Sequence, residues 1–214
     1  MKLAIFIFAA HLLGSIPFGF LIAKAYGKDL RNIGSGNIGA TNLSRALGKK
    51  WGYFCFLLDV LKGLLPMLAA KKWCLSDVPT SLELFGWLAV GLAAILGHIF
   101  PVYLKFKGGK GVATSFGVAM GLWPYYTYCA GGSFIIWLIA VLIWRYISLA
   151  SIIASVAFPV FLVTAIALNN NWSFAGLWPL LTAAALIPIL VIIRHRQNIK
   201  RILAGNESKV LRKQ

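Results

Sequence analysis

The chain has 214 residues, 60% of them hydrophobic and 12% charged, against about 45–50% and about 25% in an ordinary soluble domain. Its mean hydropathy of +0.82 leaves more apolar surface than a globular core can cover, which excludes a water-soluble domain and calls for lipid. Twenty-one Lys and Arg face five Asp and Glu, a formal charge of +16, but the basic residues lie between long apolar runs, so anionic headgroups or an anionic substrate are expected rather than nucleic acid. Cys55, Cys74 and Cys129 have no metal-ligand spacing and cannot form an even-numbered disulfide framework. The scarcity of acids argues against a magnesium site built by the protein.

Six stretches meet the requirement of about 20 mostly apolar residues for a spanning helix: 3–23, 51–70, 82–104, 126–144, 149–168 and 174–193. The first follows Lys2 as a signal peptide would, but it runs past Pro17 to Ile22 without a clean small-x-small cleavage site. Residues 112–124 give only about 20 Å of helix against a hydrocarbon core of roughly 30 Å, so charge decides whether they cross. With seven spans, the segments 24–50, 105–111, 145–148 and 194–214 share one side and carry six, three, one and seven basic residues, seventeen in all. The other side has Lys2, Lys71 and Lys72, and Lys62 lies inside a span. The expected architecture is therefore an all-α polytopic membrane protein of about seven transmembrane helices, N-terminus outside and C-terminus cytoplasmic, with 1–214 as one domain. Gly117 and Gly121 form a GxxxG that would let the short helix pack closely, and Gly86, Gly91 and Gly97 read as packing glycines. Asp59 and Lys62, three apart in a span, neutralise each other on an inward face. His11 reads as structural, and no internal repeat is present.

Three polar segments fall on the basic side. The first, Gly34-Ser35-Gly36-Asn37-Ile38-Gly39-Ala40-Thr41-Asn42 with Arg45, is too glycine-rich for a helix interior. Its glycines would let backbone N–H groups turn toward an anion, with hydroxyl and amide donors and a bidentate Arg45 beside them. The alternative is a flexible loop meeting water and headgroups. The second runs from Gly97-His98-Ile99-Phe100-Pro101 to Gly108-Gly109-Lys110-Gly111-Val112-Ala113-Thr114. Gly-Gly-Lys-Gly before a helix suggests a phosphate cradle, or else a snorkelling basic loop and close helix packing. It is not a Walker A loop, because Gly111 and Leu104 stand where that motif needs a hydroxyl residue and a glycine. His98 fits equally a buried hydrogen-bonded histidine. The third, Arg194-His195-Arg196-Gln197-Asn198-Ile199-Lys200-Arg201 leading to Gly205-Asn206-Glu207, is by charge alone a topology signal. His195 and Asn198, three apart, would share a helix face and point into a pocket. Between spans, Arg145-Tyr146-Ile147-Ser148 adds a cation and a hydroxyl. Cations, hydroxyls and amides with almost no carboxylates suit phosphorylated substrates held without a metal. No Gly-x-Ser-x-Gly nucleophile, Ser-His-Asp set or HxxxxD motif is present.

These three segments, in order and with the hydrophobic pattern between them, resemble the motifs of the PlsY family of bacterial acyl-phosphate:glycerol-3-phosphate acyltransferases. The resemblance implies transfer of a fatty acyl group from acyl phosphate to the 1-hydroxyl of sn-glycerol 3-phosphate. It implies lysophosphatidic acid as product, the first step of phospholipid synthesis, with no cofactor, ATP or metal. It implies a multi-pass protein of the bacterial inner membrane among lipids, with its active site toward the cytoplasm. By position it puts catalysis on Ser35, Asn37, Arg45, His195 and Asn198. Substrate and phosphate binding fall on Gly36, Gly39, Thr41, Gly108, Gly109, Lys110, Gly111 and Thr114, and Ser148 joins them from its turn. The proton acceptor is either His195 or the substrate's own phosphate. A transporter for an organic phosphate is a second reading, disfavoured by the one-sided polar segments and the lack of repeated halves. A lipid-binding scaffold would explain the basic rim but not the paired glycine segments.

The charge asymmetry makes a direct prediction: a cysteine replacing Lys209 is labelled from the cytoplasmic side and one replacing Asn170 from outside. Labelling of both from one side contradicts the seven-span arrangement.

Overall fold

The computed structural model describes residues 2–210, and every regular element among them is helical. Ten α-helices run α1 (Lys2–Ser15), α2 (Phe18–Ala25), α3 (Ala40–Leu47), α4 (Lys49–Cys74), α5 (Ser81–Ile99), α6 (Val112–Gly121), α7 (Tyr125–Trp144), α8 (Ile147–Leu168), α9 (Trp178–Arg194) and α10 (Arg196–Leu203). Five stretches are long and apolar enough to cross a membrane: α1 with α2, α4, α5 with the turn after it, α7 and α8. Helix α9 joins them if it is counted with α10, from which it is bent by 58°, and α6 is a shorter apolar helix. Exposed Leu57, Leu65, Leu142, Val160 and Leu186 are what lipid, not water, would cover.

The helices group into two compact units, Met1–Leu122 and Trp123–Gln214. In the first unit glycines set the packing. A Cβ on Gly14 would lie 2.2 Å from the Ala94 carbonyl oxygen and one on Gly97 2.3 Å from that of His11, so α1 and α5 touch backbone to backbone. Gly117 and Gly63 do the same between α6 and α4, facing the carbonyls of Val60 and Thr114, and Gly121 faces Met67. The GxxxG thus acts as the sequence suggests, and Gly86 and Gly91 likewise lie against Leu3 and Val118. Without a hydrophobic drive between helices in lipid, such contact provides the cohesion.

Pro17 breaks the first span between α1 and α2 because it has no N–H to continue the ladder. The Ile16 carbonyl left at the break accepts from Phe18 N (3.1 Å) and Lys62 Nζ (2.9 Å). Lys62 also pairs with Asp59 at 2.8 Å, both groups nearly fully buried. The mutual neutralisation expected from their spacing is present, and the carbonyl at the break is part of it. Helix α5 starts with a reciprocal cap between Thr80 and Glu83, and its Trp87 donates to the Met67 carbonyl of α4 at 2.9 Å.

In the second unit several hydroxyls of the spans close on their own helices. The hydroxyls of Ser151, Ser155, Thr164 and Thr182 donate to carbonyls three or four residues earlier. Tyr126 of α7 donates to the Leu180 carbonyl of α9 and meets Phe158 edge-on, with centroids 4.9 Å apart. The α7–α8 turn passes through Arg145 in the left-handed region, and its carbonyl accepts from Val210 N at 2.8 Å, folding the tail back onto the turn.

Candidate active site

The first polar segment is ordered by one buried amide. Asn42 in α3 is 1% exposed. Its Nδ2 donates to the carbonyls of Leu30 (3.0 Å), Ile33 (2.9 Å) and Asn37 (2.9 Å), and its Oδ1 accepts from Ser35 N (3.1 Å). Gly34 and Gly36 take positive φ to wrap the loop around it, and a Cβ on Gly34 would fall 2.6 Å from Asn42 Oδ1. Asp29 caps the turn Leu30–Asn32, and hydrogen bonds from the Arg31 side chain and backbone hold its carboxyl down at about 2. Below the loop, Leu30 and Leu43 pack with Ala23 and Cys55, and Gly19 of α2 lies under the Ile38 carbonyl.

This differs from the cradle of backbone donors suggested by the glycines. Ser35 N goes to Asn42, Gly36 N to the Ile33 carbonyl (3.0 Å) and Gly39 N to Asn37 Oδ1 (2.9 Å). Gly36 and Gly39 therefore shape the loop, and Asn37 serves it as a cap. The groups left to face a ligand are side chains. The Ser35 hydroxyl carries no hydrogen bond among the described residues. Thr41 and Arg45 lie one turn apart on the same face of α3, and the Arg45 stem passes 3.7 Å from the position of a Gly34 Cβ.

The second segment folds back onto the end of α5. Gly108 N donates to the Ile99 carbonyl (3.1 Å) and Gly109 N to that of His98 (3.0 Å). A Cβ on Gly108 would lie 2.2 Å from the His98 oxygen, and one on Gly109 2.0 Å from His98 Nε2. Here too the glycines are needed for close approach, and two of the expected cradle N–H groups are spent. Gly111, at φ +83°, is the N-cap of α6, whose first-turn N–H groups have no intrahelical acceptor, and half-buried Lys110 stands just before it. Thr114 is wholly buried, with its carbonyl against Gly63, so its place is in the α4–α6 packing. Ile38 from the first segment and His98 and Pro101 from the second line one crevice together with Ser15, Asp59 and Lys62. The two segments thus share a wall.

In the second unit the third segment is organised by Glu207, to which the sequence reading gave no role of its own. Its carboxylate accepts from Ser148 Oγ (2.8 Å), Asn198 Nδ2 and Arg201 Nε (2.8 Å). Burial alone would raise this carboxyl, but those donors outweigh it and hold Glu207 below the usual carboxylate range. Ser148 is thereby an anchor for the tail. His195 is the N-cap of α10, three residues before Asn198 and, like it, buried. It occupies the bend between α9 and α10, buried, with Nδ1 2.8 Å from the Val191 carbonyl, which fixes the ring proton on Nδ1.

A family model described as glycerol-3-phosphate acyltransferase matches residues 4–205. The glycerol-3-phosphate acyltransferase of Aquifex aeolicus (strain VF5) is 45% identical over 98% of this chain and 100% of its own length. That of Staphylococcus aureus (strain Newman) is 39% identical over 98% of both. The crystal structure of PlsY (YgiH), an integral membrane glycerol 3-phosphate acyltransferase, in its glycerol 3-phosphate form superposes with a TM-score of 0.83 at 44% identity, covering 98% of this chain and 96% of that one. Its lysophosphatidic acid form gives 0.81 at 43% identity, covering 98% and 95%.

Removing the Asn42 amide leaves the Ser35 N–H and the Asn37 carbonyl without their partner and takes a second donor from the Leu30 and Ile33 carbonyls, at about 1–3 kcal/mol for each group left buried and unpaired. Asn42→Ala is expected to lower the melting temperature in detergent by roughly 5–10 °C. An unchanged melting curve would show that the loop does not depend on it.

Proposed function

The chain belongs to the glycerol-3-phosphate acyltransferase family, and on that premise we propose that it takes its acyl group from acyl phosphate and delivers it to the 1-hydroxyl of sn-glycerol 3-phosphate, giving lysophosphatidic acid and phosphate. The observation that carries the substrate and product is the likeness along nearly the whole chain to PlsY structures in glycerol 3-phosphate and lysophosphatidic acid forms. The donor is the one the resemblance of the three segments implies, and the chemistry of the site is compatible with it. An acyl phosphate is a mixed anhydride with a good leaving group, so the protein needs to hold two anions together and stabilise developing charge. Ser35, Thr41, Arg45 and Lys110 supply hydroxyls and cations for this, and the start of α6 supplies N–H groups.

In the proposed reaction the 1-hydroxyl oxygen attacks the acyl carbonyl carbon. The ester C–O bond forms, the bond from that carbon to the phosphate oxygen breaks, and the hydroxyl proton leaves with the released phosphate. The donor's own phosphate is the favoured proton acceptor, because Glu207, the carboxylate of the third segment, is saturated by three donors and held ionised. It is an anchor for Asn198. Asn198 and His195 complete the proposed catalytic set, with His195 as the alternative base. The proposed setting is the bacterial inner membrane, with the polar segments toward the cytoplasm as the charge bias suggests. The whole chain acts as one acyltransferase domain, with no cofactor.

Purified protein is expected to form lysophosphatidic acid from acyl phosphate and not from acyl-CoA. Arg45→Lys replaces a bidentate fork by a point charge and should lower kcat/KM for glycerol 3-phosphate at least about tenfold, equivalent to about 1.4 kcal/mol, without unfolding the protein. Near-normal turnover would reduce Arg45 to a topology charge.

A further inference from the structure

Three ionisable side chains meet inside the first unit, none of them among the residues assigned to the reaction. Asp59 of α4 is 3% exposed, Lys62 2% and His98 of α5 7%. Lys62 Nζ lies 2.8 Å from Asp59 Oδ1, and His98 Nδ1 lies 3.6 Å from the same oxygen. Lys62 also reaches the Ile16 carbonyl at the helix break and sits over the Phe18 ring at 5.6 Å. Charges buried in a membrane-spanning helix are expensive, and a matched apolar pair often does no worse for stability. What an apolar pair cannot supply is a polar hold on neighbouring groups.

Those groups belong to both substrate segments. The His98 ring abuts Gly109, its carbonyl accepts from Gly109 N, and the adjacent Ile99 carbonyl accepts from Gly108 N. The end of α5 therefore sets the register of Gly108 and Gly109 through its carbonyls, and the His98 ring packed on Gly109 bears on where Lys110 and the start of α6 stand. On the other side, the Ile16 carbonyl lies just before α2, whose Gly19 supports Ile38 of the first segment. The crevice lined by Asp59, Lys62, His98, Ile38 and Pro101 is the place where these supports meet.

We propose that Asp59 is a positioning residue for substrate phosphate: through His98 it holds the Gly108–Gly111 segment, and through Lys62 the helix break beneath the Ser35 loop. It does not touch substrate. The inference rests on the proposed role of these segments in binding glycerol 3-phosphate.

The test is equilibrium binding of glycerol 3-phosphate to the full chain in detergent, which requires no turnover, read beside the melting temperature. The double variant Asp59→Asn/Lys62→Met removes both charges and so leaves no unpaired one. A purely neutralising pair then predicts wild-type binding and wild-type stability. Positioning predicts a melting temperature within about 3 °C of the parent, less than about 1–1.5 kcal/mol of stability, with Kd for glycerol 3-phosphate raised about fivefold or more. In turnover the KM for glycerol 3-phosphate rises more than kcat falls. A stable double variant that binds as the parent does overturns the proposal. If the double variant does not fold, His98→Gln carries the same test, because it leaves the ion pair in place and should also raise Kd. A folded His98→Gln with parental Kd overturns the proposal equally. Failure of the parent chain itself to bind glycerol 3-phosphate would defeat the underlying assignment of the segments, an outcome distinct from a variant that binds normally.

Discussion

A hydrocarbon surround offers no hydrogen-bond partners, so each polar group within the spans has to find one in the chain itself. Lys62 is matched by Asp59 and by the carbonyl freed at Pro17. Trp87 and Tyr126 bond across helices, and the hydroxyls of Ser151, Ser155, Thr164 and Thr182 turn back on carbonyls of their own helices. The same solvent removes the hydrophobic drive for helix association, which is why α1 with α5 and α4 with α6 meet through glycine, backbone against backbone. The Ser15 and Ser133 hydroxyls are buried within the spans without a partner among the described residues, and the three polar segments lie mainly between and beyond the spans.

In two of those segments the glycines act as scaffold. Around Asn42, and again where Gly108 and Gly109 meet the end of α5, the backbone N–H groups are turned inward and used. In the proposed reaction the ligand-facing chemistry is then left to side chains carried on these loops: a hydroxyl at Ser35, cations at Arg45 and Lys110. A preformed array of cations and hydroxyls suits transfer between two anions, since much of what is asked of it is orientation and charge stabilisation. In the second unit Glu207 has a comparable part, gathering Ser148, Asn198 and Arg201 onto one carboxylate.

The apolar stretches and their order were legible in the sequence because hydropathy over 20 residues is a local property. So were the packing role of Gly117 and the Asp59–Lys62 pair, which rest on helical spacing. The direction of the loop N–H groups was not legible. It depends on φ and ψ at Gly34 and Gly36 and on an amide supplied by Asn42 further along the chain. Thr114 and Ser148 read as ligand-facing hydroxyls, yet one is buried against α4 and the other is given to a carboxylate 59 residues away. His195 caps both α9 and α10, so the bend that carries it was not visible in the spacing to Asn198. The Thr114 and Ser148 differences come from contacts between residues far apart in sequence, and the loop and the α9–α10 bend from backbone turns, neither of which spacing can show.

The central claim is that fixed cations and hydroxyls, with acyl phosphate as an activated donor, are enough for the transfer. It is tested most directly by following ester formation and phosphate release together in purified protein, with and without excess chelator. One phosphate is expected per lysophosphatidic acid formed, at a rate the chelator does not change. Product formation that stops on chelation and returns with added metal, or phosphate released without ester, would contradict it.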